Sequence, residues 1–399
     1  MNKRILILCE AIAPPAYSPR IITLVEYLQQ HGWYCEIATE MDNDTTFQSS
    51  NCTIHQMPTY HHLVADKLFG AKERAFFNYI CQHIDVASFD LILCASYYYF
   101  PLQAAARLAQ RYHLPLIVDL RDISEQWGTL DFYTRTFTGH AAIDAIAKRL
   151  YTFINRKQRN RVLHAANAVT TVSPWHQQLL SQWNTNTHLI YNGYDATTFY
   201  PQDIPSHTFD ITFIGKYYSH YAECPTLLFA ALRDLVEEKS INKSHITVQF
   251  YTNETGQKIF AKLAAQYSIS EIVQVSNYIP REHIVPIMHL SSIMMVLTTS
   301  AKLHDTHGIM GTKFYEILGI EKPCLCLTSD EECLAHAIQK THAGLAATNV
   351  EEVKAFILEK YQEWLQNGFT RQAVINKEQF SRQKQAQQFE QLFIETLKH

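Results

Sequence analysis

Short apolar runs of strand length alternate with amphipathic stretches along nearly the whole chain, and this alternation restricts the fold more than any other feature. Ile5–Cys9 is a continuous apolar run. Arg20–Gln30 follows with Ile21, Leu24, Val25 and Leu28 at helical spacing, Gly32 ends it, and Trp33–Thr39 reads as a second strand. Leu91–Cys94, Leu102–Tyr112 and Pro115–Asp119 repeat the strand, helix, strand order. Ala168–Val172 and His188–Tyr191 add two strands around a helix at Pro174–Trp183. Parallel neighbours need a crossover, usually a helix, so the pattern predicts a doubly wound parallel sheet.

Between Asp195 and Thr208 the alternation breaks, with Pro201 and Pro205 among polar residues. A second α/β series begins at Phe209–Ile214. Helices are expected at Leu227–Val236 and Lys258–Tyr267, and strands at Ile246–Tyr251, Ile272–Val275, Ile293–Leu297 and Pro323–Leu327. Val350 to Trp364 and Glu378 to Leu397 read as long amphipathic helices, the last with Phe380, Phe389, Leu392 and Phe393 on one face. The reading is one Rossmann-like domain over 1–195 and a second over 205–372. A C-terminal helix over 373–399 is expected to pack back towards the first domain. Two such sheets are expected to face each other across a cleft at their C-terminal strand ends, where open α/β sheets bind ligands.

A length of 399 residues suits two domains, and 47% hydrophobic against 18% charged residues can fill two cores. The net charge of −4 gives no global field for nucleic acid. Nine scattered cysteines without a CxxC pair read as buried hydrophobes in a reducing compartment. The first apolar run is strand-length with no cleavage pattern, and no run of 18 apolar residues occurs. A cytoplasmic protein is expected, with peripheral contact at the inner membrane face left open. Asp42-Asn-Asp44 is taken as a turn rather than a metal site. The histidines, His61-His62 included, lack ligand spacing, so neither metal nor cofactor is expected. No G-x-G-x-x-G follows a strand, which argues against a dinucleotide oxidoreductase.

One segment carries chemistry. Gly308-Ile-Met-Gly311-Thr312-Lys313 leads into a short helix expected from Thr312 to Leu318, with Glu316 on the face of Lys313 and a strand from Pro323. A cation in the first helical turn opposes the helix dipole, and an anion bound at that helix start would offset the cost. A phosphate for Lys313 and a sugar hydroxyl for Glu316 would suit one nucleotide-sugar ligand. A solvated Lys–Glu pair is the competing reading. Asp119 and Asp122 end a strand that should point into the cleft. Asp122 would orient an acceptor or assist proton removal from its hydroxyl, or else pair with Arg121 or cap a helix. Arg20 opens the first helix on the cleft side, to meet a diphosphate or form a surface ion pair. His304 and His307 flank the donor loop, for phosphate contact or loop capping. Trp127, Phe132, Tyr133 and Phe137 form an acceptor-side aromatic stretch or satellite core. His140–His164 holds Lys148, Arg149, Arg156, Lys157, Arg159 and Arg161 against Asp144 alone, a basic amphipathic helix for anionic lipid or for ordinary packing.

Four ordered segments resemble the GT-B glycosyltransferases, within them the retaining group called family 4. They are Leu116-Ile-Val-Asp119-Leu120-Arg121-Asp122; Ala165–Ser173 with Asn192-Gly193-Tyr194-Asp195 and Phe199-Tyr-Pro201; Ile211–Lys216; and Gly311–Leu318 with Pro323. The resemblance implies sugar transfer from a nucleotide-diphosphate sugar to a glycan or lipid-linked acceptor, metal-independent and retaining, in bacterial surface polysaccharide or glycolipid synthesis. It implies donor contacts from Gly215, Lys216, Ile279, Gly311, Thr312, Lys313 and Glu316, with Lys216 and Lys313 neutralising the diphosphate and Asp122 at the acceptor. Arg20, Asp119, Arg121 and Trp127 would line the acceptor side. Members often carry a glutamate eight positions before the one matched by Glu316, and here Gly308 stands there. The first loop carries Pro14 and Pro15 where many relatives have glycines. A nucleotide-sugar epimerase and a non-catalytic nucleotide-sugar-binding protein are the alternatives.

Overall fold

The computed structural model describes residues 3–10, 12, 19–41, 52–60, 70–128, 139–218, 222 and 224–398, the side chains of 303 and 304 excepted. In chain order the first elements are β1 (Lys3–Cys9), α1 (Pro19–Gln30), β2 (Trp33–Glu40), β3 (Thr53–Met57), α2 (Ala71–His83), β4 (Leu91–Ser96), α3 (Leu102–Tyr112) and β5 (Leu116–Leu120). Then come α4 (Ala141–Ala165), β6 (Ala168–Thr171), α5 (Pro174–Leu180) and β7 (Thr187–Leu189). These strands form one parallel sheet of seven in the order β3-β2-β1-β4-β5-β6-β7. β1 is buried on both faces, with Ile5 opposite Cys35 on one side and Leu91 on the other. An unbroken apolar run is what such a central strand needs.

The second series is β8 (Phe209–Ile214), α6 (Thr226–Glu237), β9 (Ile246–Tyr251), α7 (Glu254–Gln266), β10 (Val273–Ser276), α8 (Arg281–Leu290) and β11 (Ile293–Leu297). It continues with α9 (Ala301–His304), α10 (Thr312–Ile320), β12 (Cys324–Leu327), α11 (Cys333–Thr341), β13 (Gly344–Ala346), α12 (Val350–Asn367) and α13 (Arg382–Thr396). Six parallel strands run β10-β9-β8-β11-β12-β13. The core of this sheet centres on Phe209, Phe229, Phe250 and Phe260, closed by Tyr361 and Trp364 of α12.

The chain divides into two compact units: Met1–Asn192 with Arg382–His399, and Gly193–Ser381. Pro201 and Pro205 thus lie inside the second unit. α13 belongs to the first, where Ala386, Phe389, Leu392 and Phe393 join Ile5, Ile7, Leu24 and Leu28 in one core. Glu390 of α13 accepts hydrogen bonds from Trp33 Nε1 at 3.0 Å and Tyr27 OH at 3.2 Å. The single helix expected from Glu378 is corrected. Phe380 sits in a separate helical turn against Phe314 and Tyr315, and Ser381 pairs with Tyr194 before α13 begins.

Candidate functional site

In the second unit the strand order reverses between β8 and β11. Open parallel sheets bind ligands beyond the C-terminal strand ends at such a reversal. Gly215 and Lys216 leave β8 there. The loop after β11 leads into α10, the crossover helix to β12, so the α10 N-terminus opens at the same edge. Gly215, Lys216, Gly311, Thr312, Lys313 and Glu316 are therefore placed at one end of two neighbouring strands.

Lys216 is exposed, its ammonium 4.8 Å from the centre of the Tyr218 ring. The turn is anchored by Tyr217 N–H, which donates to Asn253 Oδ1 at 2.9 Å at the end of β9. Gly215 donates its own N–H to Tyr251 O at 3.0 Å, so that group is occupied by the sheet. Gly311 is the N-cap of α10 and offers no side-chain cap, leaving Thr312 and Lys313 in an open first turn.

Lys313 Nζ donates to Glu316 Oε2 at 2.5 Å, with only 27% and 15% of the two side chains exposed. The competing reading of a solvated pair is thereby corrected to a half-buried one. Glu316 Oε1 has no partner among the described residues. Ile279 lies at the same edge beyond β10, separated from β8 by β9 in the sheet order, and is half-buried beside exposed Tyr278. Gly308 has φ 67°, a left-handed conformation that a glutamate at this position would adopt only under strain. His307 is bracketed by Glu332 Oε1 at 2.7 Å and Asp305 Oδ1 at 3.0 Å. Burial disfavours its charged form, but the two carboxylates outweigh this and raise its pKa above the ordinary value.

In the first unit, two expected ligand-facing residues are internal. Asp119 is fully buried. It receives Arg20 Nε and Nη2, each at 3.1 Å, and Thr170 Oγ1 at 2.6 Å. Arg20 also donates to Tyr191 O at 2.6 Å and Ile190 O at 2.9 Å, and its guanidinium lies over Phe389. Both the diphosphate contact and the surface ion pair expected for Arg20 are corrected: the pair ties α1, β5, β6 and the chain after β7 together inside the protein.

The loop after β5 carries the remaining candidates. Asp122 is half-buried and accepts from Gln126 Nε2 at 3.1 Å. Desolvation raises its pKa above the usual carboxyl value, against the Gln126 hydrogen bond and the Arg121 charge. Arg121 stacks on Tyr97, 3.9 Å from the ring centre, and Trp127 Nε1 donates to Tyr98 OH at 3.2 Å. Tyr99 OH donates to Ser124 Oγ at 2.8 Å. The tyrosines 97–99 were not among the sequence candidates. Their signal was a run of three aromatic hydroxyls directly after a buried strand.

Asp42–Asp44, His61, His62, Pro14, Pro15, Phe132, Tyr133 and Phe137 lie outside the described residues, as does the His304 side chain. Among the described residues, no three His, Cys, Asp or Glu side chains are grouped to hold a metal ion.

Residues 19–198 match the model of Glycosyltransferase Family 4. Sucrose-phosphate synthase from Thermosynechococcus elongatus superposes with a TM-score of 0.65 at 15% identity, over 98% of this chain and 99% of that one. Anabaena HepE, in complex with UDP and glucose, gives a TM-score of 0.64 at 12% identity over 98% and 100% of the two chains. The lipopolysaccharide outer core galactosyltransferase WaaB gives 0.59 at 12% identity over 98% and 99%. No curated protein sequence matches the chain. The likeness establishes the fold, that of the GT-B glycosyltransferases.

Proposed function

We propose, for a chain of the GT-B fold whose residues 19–198 match the Glycosyltransferase Family 4 model, that it transfers a sugar from a nucleoside-diphosphate sugar to a glycan or lipid-linked acceptor with retention. The observation that carries the donor site is the placement of Lys216 after β8 and of Lys313, bonded to Glu316, in the open first turn of α10, both at the sheet edge where the strand order reverses. An anion there faces the helix N-terminus and two ammonium groups. The reading puts the diphosphate at Lys216, Lys313, Gly311 and Thr312, a ribose hydroxyl on Glu316, and the base along the backbone at Ile279. The UDP and glucose held by HepE support a uridine diphosphate sugar as the first donor to try.

In the reaction, the bond from the anomeric carbon to the diphosphate oxygen breaks and a bond to the acceptor oxygen forms. The acceptor proton passes to the departing phosphate. Lys216 and Lys313 stabilise the charge that develops there, the main electrostatic task of the step, and they do so without a metal. Asp122, raised in pKa and held by Gln126, orients the acceptor hydroxyl, with Trp127 beside it. Surface polysaccharide or glycolipid synthesis is the pathway class that this chemistry serves.

UDP is expected to raise the thermal midpoint of the protein, and Lys313→Ala and Glu316→Ala each to remove most of that increase. Unchanged protection in both variants would sink the donor site. Nucleotide release is then measured with UDP-, GDP- and ADP-sugars and lipid-linked acceptors. A new sugar nucleotide formed without acceptor would replace transfer by epimerisation. Binding with no acceptor-dependent release would make the protein a binding module.

A further inference from the structure

A helix packed on a sheet ordinarily turns its apolar stripe inward and its charges to water. The first four turns of α4 do the reverse. The buried positions of those turns are Asp144 and Thr152, followed by Arg159, and only at Val162 and Leu163 does the helix turn apolar residues inward. On the opposite face Ile143, Ile146, Leu150, Phe153 and Ile154 are 52%, 68%, 58%, 64% and 43% exposed. At helical spacing these five occupy an arc of roughly 100°. The same arc continues through Lys157, Arg161 and His164, which with Phe153 and Trp183 line a groove of about 560 Å³.

The cations of α4 divide into two sets. Arg156 donates to Ser124 Oγ at 2.7 Å and Arg159 to Glu125 at 2.7 and 2.8 Å, so both are engaged inside the unit. Arg149, Lys157 and Arg161 are exposed and form no ion pair with a described residue, whereas Lys148 is half-buried on the inward side of the helix. The chain as a whole is acidic, with a net charge of −4, so the cationic surface is local.

We propose that this face of α4 docks on an anionic lipid bilayer. An exposed aliphatic stripe flanked by Lys and Arg suits the boundary between acyl chains and phosphates, and Trp183, 42% exposed, is placed for the headgroup level. A second copy of the chain would bring the same cations together. A nucleic acid would leave the five aliphatic and aromatic side chains uncovered. Because Arg156 and Arg159 hold Ser124 and Glu125 on the inner side of α4, docking would hold the Asp122–Trp127 loop about 10 Å, one helix diameter, from the lipid surface. A lipid-linked acceptor is the substrate class that this arrangement favours. The inference rests on α4 alone, so its failure would leave the donor site untouched.

The test is co-sedimentation of the full chain with mixed phosphatidylglycerol–phosphatidylcholine vesicles. Binding is expected with these vesicles, weak binding with phosphatidylcholine alone, and release at high salt. Lys157→Gln with Arg161→Gln should weaken binding about 25-fold, at about fivefold per charge. Ile146→Ser with Phe153→Ser, both exposed positions, should weaken it at least tenfold while leaving the UDP-induced rise in thermal midpoint unchanged. Absence of binding to the anionic vesicles would overturn the proposal, as would equal binding by the serine variant. A wild-type dimer that the serine variant dissociates, with no vesicle binding, would assign the face to self-association and overturn it as well.

Discussion

Buried charge in the first unit holds strand ends in place. Arg20 donates to partners 99, 170 and 171 positions away, closing α1, β5 and the chain after β7 around one guanidinium. Asp119 and Asp122 are three residues apart yet do different work. Asp119 is sealed by Arg20 and Thr170, whereas Asp122 stands half-buried with one hydrogen bond from Gln126. Behind this loop lies His176, 1% exposed, with neither ring nitrogen hydrogen-bonded. Burial depresses its pKa to about 3, with Glu125 opposing and Arg159 adding to the shift. The unfolded chain takes up a proton on this group as pH falls through about 6.5, while the folded one stays neutral, so stability present above that pH is lost below it. Between pH 7 and pH 5 His176 is expected to cost about 2 kcal/mol of stability. In His176→Leu, urea unfolding at the two pH values should lose that much of its pH dependence. An unaltered pH dependence would refute this.

At the scale of elements, α10 decides the donor side. The expected helix from Thr312 to Leu318 is observed as Thr312–Ile320, because glycine, threonine and a short apolar run mark its start locally. Gly319 is part of its apolar face for a reason visible only in three dimensions. A Cβ there would lie 2.7 Å from Tyr194 Cδ2 and 2.8 Å from both Phe199 Cβ and Phe199 O. Gly319→Ala is expected to destabilise the second unit by about 1–3 kcal/mol, the usual range for overpacking. By shifting α10 it should also weaken UDP protection, although Gly319 is assigned no ligand contact. A variant as stable as the parent would show that the 194–199 segment yields instead. Other elements were not legible. β3 reads Thr-Ile-His-Gln-Met, a sheet-edge strand with little apolar character. β13 has three residues, too few for a period to show.

On the scale of the molecule, the last 18 residues complete a unit that begins at residue 1. Phe389, Leu392 and Phe393 are 1%, 6% and 0% exposed, in the core that holds Ile5 and Ile7. Their burial contributes on the order of 5–9 kcal/mol at about 1.5–3 kcal/mol per large apolar side chain. That is comparable to the whole stability of a domain. A chain ending at Ser381 is therefore expected to lose the cooperative transition of the first unit and to keep that of the second, together with its response to UDP. Calorimetry checks this, and retention of both transitions would contradict it.

The sequence by itself determined that the chain builds parallel sheets with crossover helices, and it marked Lys313, Glu316 and the strand ends that carry the candidate residues. Periods of two and 3.6 residues record which faces of an element are apolar, and glycine, proline and capping residues record where elements stop. Neither records what covers a face. Only the tertiary structure decided that Arg20 and Asp119 are spent on each other, that Gly308 takes a left-handed turn, and that α13 closes the core around β1. It alone decided that the apolar stripe of α4 turns away from its own core, towards the surface where the membrane contact is proposed. Each of these depends on neighbours brought together from distant parts of the chain, and burial of a charge or an apolar face is a property of those neighbours rather than of the residue.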